Sequence, residues 1–452
     1  MLIIASYIFY GCWDYRFLIL LIFSTSLDYF TGLKIFEAKS RKNKKIWLLI
    51  SLVVNIGFLG FFKYYNFFIE SFSDMLLFWG LQANLWTLKL VIPVGISFYT
   101  FHGLSYVLDI YKEKITPTKN VIDYSLFVSF FPLLVAGPIE RATHLLPQIQ
   151  KPRHFQYSTA VDGLKQILWG FFKKVVIADN CASIVNQIFD SYETMPANSL
   201  VLGAILFTFQ IYGDFSGYSD IALGSARLLG IELLRNFSYP YFSRDIAEFW
   251  RRWHISLTTW FRDYIYIPLG GSRGSKWMVI RNTFIIFLVS GFWHGANWTF
   301  ICWGFLNAVY FLPLLLTKNN RKNLDIVAKG RVFPTFRELL SMSTTFGLVV
   351  LGWIVFRSDS IGEAWDYISR IFSSSLFSTY IGEYYVGKLG VLETVILIVI
   401  FICIEWIGRE HPYAIADLKI KHKGLRYLLY YVIVFAVIYW SGAGQQFIYF
   451  QF

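Results

Sequence analysis

A long uncharged apolar stretch constrains this chain more than any other feature. From Thr283 to Thr317 no side chain is an acid, a lysine or an arginine. A helix needs about 20 mostly apolar residues to cross a bilayer, so this stretch is long enough to enter lipid. Apolar residues make up 56% of the 452 residues, aromatic residues make up 20%, and the mean hydropathy is +0.49. Soluble globular chains carry far less apolar sequence, so we predict a multi-pass membrane protein.

Several other apolar windows qualify as membrane spans. The predicted spans are Tyr15 to Ile35, Ile46 to Ile69, Leu88 to Ile110, Leu200 to Tyr212, Phe284 to Leu316, Ser343 to Phe356, Leu389 to Ile407 and Leu425 to Ser441. Two stretches are too broken by glycine and proline for simple spans: FVSFFPLLVAGPIE at 127–140 and the region around Trp293. Irregular backbone at membrane depth persists only where protein or water surrounds it. These stretches therefore either line an interior or pack as loops at the interface.

The basic residues indicate orientation, because lysine and arginine are enriched in cytoplasmic loops. The formal net charge is +12. The basic clusters lie at Lys39 to Lys45, Lys112 to Lys119, Arg141 to Lys174, Arg227 to Arg281, Lys318 to Arg337 and Arg409 to Arg426. We predict that all are cytoplasmic, which leaves Arg357 to Lys388 outside. The charge is then a topology signal first and an attraction to anionic membrane lipid second, and binding to nucleic acid is not predicted.

A histidine interrupts the long apolar stretch. His294 stands in the sequence GFWHGAN at 291–297, where a titratable side chain needs a reason. A neutral imidazole with an unperturbed pKa of about 6.5 can accept a proton from a hydroxyl group. A buried histidine satisfied by hydrogen bonds is the structural alternative.

A second histidine lies in DIAEFWRRWHISLTTWFRDYIYIPLGGSRGSKW at 245–277. Helical spacing places Trp250, His254, Leu257 and Phe261 on one face, and Glu248 can pair with Arg251 and Arg252. Pro268 and three glycines then end the helix and open a basic loop with Arg273 and Lys276. The loop is either a solvated cytoplasmic turn or a site for the phosphates of a bulky cytosolic donor such as coenzyme A.

The stretch QIYGDFSGYSDIALGSARLLG at 210–230 carries Gln210, Asp214, Ser216 and Asp220 in apolar surroundings. Carboxylates within a membrane are costly and usually pair with a cation or face a cavity. Arg227, Arg251 or Arg252 are the predicted partners, and a structural ion pair is the favoured interpretation.

These motifs together resemble the membrane-bound O-acyltransferase family. The resemblance rests on FWRRWHISLTTWFRDYIYIPLGG and SGFWHGANW, with GDFSGYSD and AGPIER upstream and FIYFQF at the end. It extends from about residue 90 to the C-terminus and is strongest to the branch that acetylates bacterial exopolysaccharides and peptidoglycan. Members usually begin with a further apolar segment, so the resemblance implies a chain truncated at its start. His102 stands where glutamine is usual, which argues against an essential role there.

The resemblance implies an all-α polytopic membrane fold with about 10 transmembrane helices, re-entrant segments and a central tunnel. Residues 1–452 would form one membrane domain, with N-terminal spanning helices at 1–86, a catalytic core at 87–320 and C-terminal helices at 321–452. The protein would be a multi-pass protein of the bacterial inner membrane.

The resemblance also implies the roles of the candidate residues. His294 is the general base, and His254 orients the donor, stabilises the oxyanion or relays the proton. The substrate-binding candidates are Trp293, Asn297, Arg251, Arg252, Trp253, Asp214 and Gln210, and the donor-binding candidates are Arg273 and Lys276. No metal site is predicted, because no third ligand has suitable spacing. His144, His154, His411 and His422 are assigned to solvated surfaces.

The implied activity is transfer of an acetyl group from a cytosolic donor, acetyl-CoA, to hydroxyls of an extracytoplasmic polysaccharide, either directly or through a partner protein. No cofactor is permanently bound, and an extracytoplasmic acetylesterase-like protein is the expected partner. The alternative is a transporter or export channel without covalent chemistry. Transporters often repeat a broken helix in each half, whereas the polar features here occur once, between residues 210 and 297, which favours the enzyme.

Overall fold

The computed structural model describes residues 1–81, 85–377, 390–418, 420, 422–441 and 444–448. These residues form helices and contain no β-strand, which confirms the all-α prediction. Contacts divide the chain into two compact units, residues 1–155 with 230–234 and residues 156–229 with 235–452. The single domain with boundaries at 87 and 321 stays a prediction. Of the C-terminal FIYFQF sequence, residues 449–452 lie outside the described residues, as do residues 378–388 of the predicted external segment.

The described residues of the first unit form eight α-helices. They are α1 (Leu2–Gly11), α2 (Tyr15–Glu37), α3 (Arg41–Leu59), α4 (Tyr65–Phe78), α5 (Ile96–Tyr111), α6 (Val121–Ser129), α7 (Phe131–Leu134) and α8 (Ala142–Gln150). A π-helical turn at Gly60–Tyr64 joins α3 to α4. The predicted interruption in 127–140 is confirmed, because α6 ends at Ser129 and backbone without helix follows α7.

The second unit contains the remaining α-helices. They are α9 (Tyr157–Phe171), α10 (Asp179–Asp190), α11 (Ala197–Leu228), α12 (Ile246–Arg252), α13 (Ile255–Phe261), α14 (Lys276–His294), α15 (Trp298–Leu316), α16 (Phe336–Arg357), α17 (Ile361–Ile371), α18 (Val391–Gly408) and α19 (Lys423–Tyr439). A π-helical segment, Phe172–Ala178, joins α9 to α10, and another, Arg262–Tyr266, follows α13.

Six helical stretches among the described residues are long and apolar enough to cross a membrane. They are Tyr15–Glu37, Arg41–Phe78, Ala197–Leu228, Trp298–Leu316, Phe336–Arg357 and Val391–Gly408. The sequence led us to expect about 10. Part of the difference arises because α5 has 16 residues and α19 has 17, so both are shorter than a full span.

Two predicted spans have different boundaries in the structure. The span from Leu88 to Ile110 becomes helical only at Ile96, because Gly95 adopts a left-handed φ of 72° and Pro93 has no amide proton to donate. The span from Phe284 to Leu316 is two helices, since the chain leaves α14 after His294 and α15 begins at Trp298.

The first unit contains a hydrogen-bond network around the AGPIER motif. The fully buried carboxylate of Glu140 accepts the Leu234 amide at 2.6 Å and lies 2.8 Å from Nδ1 of His144, and the Glu140 amide donates to Nε2 of His102 at 3.0 Å. His144 is therefore not simply solvated, as the sequence suggested, whereas His154 is exposed. Hydrogen bonding to Glu140 raises the pKa of His144 above its usual value.

The pair of Glu140 and His144 predicts a pH-dependent contribution to stability. A raised pKa in the folded state stabilises the fold below the pKa of unfolded histidine, and this stabilisation disappears as pH rises through the folded-state value. We expect His144→Gln to destabilise the protein by about 1 kcal/mol near pH 5, the upper end for an ion pair in which one partner is partly exposed, and to have less effect near pH 9. Thermal unfolding in detergent at both pH values measures this difference. His154→Gln is the matched control, and an equal loss at both pH values would contradict the assignment.

Candidate active site

A cavity of about 60 Å³ lies in the second unit. Residues of α12, α13, α14 and the connection between α12 and α13 form its wall, which is mostly aromatic and aliphatic. His254 and His294 both line this cavity and are 1% and 4% exposed. The two histidine motifs that the sequence singled out therefore meet at one buried place.

His254 reaches the cavity because the helix breaks at this residue. The sequence predicted one continuous helix, but His254 has φ 43° and ψ 53° and separates α12 from α13. This left-handed conformation is uncommon for a residue with a side chain. Asn236 holds the break, because its carbonyl accepts the Ile255 amide at 2.9 Å and its Oδ1 accepts the Ser256 hydroxyl at 3.0 Å. Asn236 was not predicted as a functional residue, because it precedes the 245–277 motif and belongs to no recognisable pattern.

The break leaves the predicted helix face intact. Trp250, His254, Leu257 and Phe261 all line the cavity, and Trp253 lines it as well. Burial lowers the pKa of His254 to about 3, so its imidazole is neutral at physiological pH.

His294 is the last residue of α14 and lies among aromatic rings. Its imidazole packs edge-on against the rings of Trp293, Trp303 and Phe356, at centroid distances of 4.8, 5.1 and 5.4 Å. Trp293 also contacts the ring of His254 at 5.8 Å. Trp293 thus contacts both histidines but is not among the residues that line the cavity, and its substrate-binding role stays a prediction.

Asn297 has a structural role in this arrangement. Its Oδ1 accepts the Thr299 amide at 3.0 Å and caps α15, while its Nδ2 donates to the carbonyl of Asp359 at 2.9 Å. These bonds account for both polar groups of the side chain. The idea that Asn297 orients the imidazole or the substrate stays a prediction.

Arg251 and Arg252 form hydrogen bonds with other residues of the protein and do not line the cavity. Arg251 donates to the carbonyls of Asn320 and Asn323 at 2.7 and 2.8 Å. Arg252 donates to the carboxylate of Glu248 at 2.7 Å, which confirms one of the two pairings predicted for this glutamate. The second pairing is wrong, because Arg244 fills the place predicted for Arg251.

Asp214 forms a buried ion pair, but its partner differs from the predicted arginines. Lys174 lies 2.7 Å from Asp214 and 2.8 Å from Asp179, and Lys173 lies 2.6 Å from Asp220. Both lysines had been assigned to a cytoplasmic basic cluster. Their charges are neutralised inside the second unit, so they add less to the orientation signal than their count suggests.

The other predicted binding residues also lie outside the cavity wall. Gln210 is buried on α11, and its Oε1 has no hydrogen-bond partner among the described residues. Arg273 is exposed in the loop before α14, and Lys276 is exposed at the first position of that helix. The predicted end of helical structure near Pro268 is confirmed. The roles of these three residues stay predictions.

The arrangement of the two histidines suits proton transfer. In the described part of the chain, no three histidine, cysteine, aspartate or glutamate side chains come together to hold a metal ion. A neutral imidazole in an apolar cavity can accept a proton from a hydroxyl group. Besides the histidines, the cavity wall includes two polar side chains that sequence analysis did not single out, Thr258 and Ser290.

Known proteins resemble this chain along most of its length. It is 38% identical over 415 residues to the probable alginate O-acetylase AlgI of Pseudomonas aeruginosa, covering 91% of this chain and 76% of that protein. It is 36% identical over 389 residues to the peptidoglycan O-acetyltransferase of Helicobacter pylori, covering 80% and 71%. It is 29% identical over 289 residues to the teichoic acid D-alanyltransferase of Bacillus subtilis, covering 59% and 69%.

A family profile agrees with these relatives. It matches residues 111–336, which contain both histidines of the cavity. The relatives, the apolar helices and the matching profile give the same result: this chain is a multi-pass bacterial membrane protein and an acyltransferase that belongs to the membrane-bound O-acyltransferase family.

Proposed function

We propose that the protein moves an acetyl group from acetyl-CoA in the cytoplasm to hydroxyl groups of an extracytoplasmic polysaccharide. The observation that carries this proposal is that the buried side chains of His254 and His294 line one cavity. An acyltransferase needs a base beside the reacting hydroxyl, and His294 is the base in this proposal. The names of the relatives support the acceptor class, because alginate and peptidoglycan are both built from sugars.

The chemistry is acyl transfer from a thioester to an acceptor hydroxyl, which belongs either to the polysaccharide or to the partner protein. The acceptor oxygen attacks the carbonyl carbon of the thioester while Nδ1 or Nε2 of His294 takes the hydroxyl proton. A carbon–oxygen bond forms, and the carbon–sulfur bond breaks when the tetrahedral intermediate collapses. The thiolate leaves and takes the proton from the imidazolium, so His294 returns to its neutral form. His254, also neutral, orients the donor or relays this proton.

The donor and the acceptor approach from opposite sides of the membrane in this proposal. The exposed loop with Arg273, followed by Lys276, offers two cations to the phosphates of acetyl-CoA. A secreted or membrane-anchored acetylesterase-like partner receives or guides the acetyl group on the outer side. The surrounding membrane lipid excludes bulk water, and no permanently bound cofactor takes part.

Reconstitution in liposomes tests the proposed function. We expect purified protein, given radiolabelled acetyl-CoA on one side and polysaccharide with candidate partner proteins on the other, to form hydroxylamine-labile acetyl esters on the polymer. Release of free coenzyme A should accompany ester formation one for one. Liposomes without protein are the control. Passage of polymer across the bilayer without any ester would contradict the proposal and favour a transporter.

A further inference from the structure

Trp250 lines the cavity and has an indole N–H that donates no hydrogen bond among the described residues. Trp250 lines the cavity together with both histidines and is 8% exposed. Its Nε1 is buried and has no acceptor among the described residues. Buried polar atoms are nearly always hydrogen-bonded, and an indole N–H can only donate. A bound ligand with an acceptor oxygen would supply the hydrogen bond that this donor lacks.

The surrounding rings fix the indole in place. Trp250 packs against Phe249, Phe287 and Trp303, with ring centroids 5.3, 5.6 and 5.5 Å away. Trp303 also packs against His294 at 5.1 Å. The ring of Trp303 thus packs against both Trp250 and the proposed base, His294. Electrostatic catalysis requires such a rigid arrangement.

The reaction creates the acceptor that this donor lacks. Attack of a hydroxyl oxygen on a thioester turns the carbonyl oxygen into an oxyanion, which needs a nearby donor in an apolar site. No lysine or arginine lies among the residues of the cavity wall. His254 is neutral and so brings no positive charge to the oxyanion.

We infer that Trp250 is a further catalytic residue, whose Nε1–H donates a hydrogen bond to the carbonyl oxygen of the acyl thioester. The bond strengthens as the acceptor oxygen attacks the carbonyl carbon, His294 takes the hydroxyl proton, and negative charge gathers on the carbonyl oxygen. Collapse restores the carbonyl, breaks the carbon–sulfur bond and passes the proton to the thiolate. The inference rests on the proposed function and adds the oxyanion donor to it.

The test removes the N–H and keeps the shape of the ring. Nonsense suppression can place 3-benzothienylalanine at position 250, which replaces the N–H by sulfur, and Trp250→Phe is a second variant. We expect the kcat for transfer from acetyl-CoA to fall about 10²–10³-fold, the effect of losing one oxyanion donor. The KM for acetyl-CoA should stay within about twofold, because the bond is strongest in the transition state.

Trp169→Phe is the matched control. Trp169 is also buried, but it stacks on Phe172 and Phe401 and does not line the cavity. The kcat of the Trp169→Phe variant should therefore equal that of the wild type. An unchanged kcat in the benzothienyl variant would overturn the inference, and a gain in thermal stability would mark the N–H as a structural cost only. If the wild-type protein itself transfers no acetyl group, the proposed function fails first, which separates the two failures.

Discussion

Replacement of His294 by alanine is expected to reduce acetyl transfer by about 10²–10⁴-fold, the range that general bases contribute. His294 is buried, lines the cavity and is the last residue of α14. An exposed histidine elsewhere in the chain therefore cannot accept the proton in its absence. The loss should appear in kcat, because the base acts on the proton only as the acceptor oxygen attacks. His294→Gln should lose the same activity, since glutamine keeps a polar side chain but cannot accept the proton at neutral pH.

The measurement is the ester-bound acetyl content of surface polymers in cells that produce each variant, after confirming equal amounts of protein in the membrane. The reconstituted assay then gives the change in kcat. His154→Ala is the matched control, because His154 is exposed in the other unit. Unchanged acetylation in His294→Ala, with an ester signal that depends on the wild-type protein, would make His294 a structural residue and His254 the next candidate.

The positions of the two histidines were predictable, because each stands in a long motif with a specific order of residues. The backbone that brings them together was not. No glycine or proline next to His254 signals its positive φ. Asn236, which stabilises this backbone conformation, lies outside the motif. Asn297 shows the reverse case. An asparagine just before an apolar helix is a common N-cap, and this signal was present in GANWTF, but Asn297 was interpreted as a substrate-binding residue.

The buried charges show why counting lysines predicts orientation only in part. Lys173 and Lys174 follow an apolar helix and precede an aspartate. The sequence alone therefore predicts that they lie at the cytoplasmic end of a membrane span. The π-helical segment turns both side chains toward α11, where Asp220 and Asp214 neutralise them. Whether such a lysine is neutralised depends on ion pairing between helices that are distant in the sequence. A single sequence does not reveal which carboxylate a lysine contacts.

Substitution of Gly291 by alanine is the second change with a large expected effect, because α14 and α15 touch backbone to backbone at this glycine. A Cβ on Gly291 would clash with the carbonyl oxygen of Phe300 and would lie 3.3 Å from Cα of Gly304. Neither contact is with a flexible side chain that could move aside. Small residues at such crossings allow membrane helices to approach closely, so alanine must push the two helices apart.

His294 lies one helical turn after Gly291, so separating the helices displaces the proposed base together with its contact to Trp303 on α15. A displacement of about 1 Å can cost about 10²-fold in rate, and overpacking typically costs about 1–3 kcal/mol of stability. We expect Gly291→Ala to show both losses, in kcat and in the thermal unfolding midpoint in detergent. Gly347→Ala is the matched control, because a Cβ there meets nothing within 4 Å and α16 should keep or gain stability. Equal stability and activity in both variants would mean that the approach of α14 to α15 does not fix His294, and the position of the base would then depend on its aromatic neighbours alone.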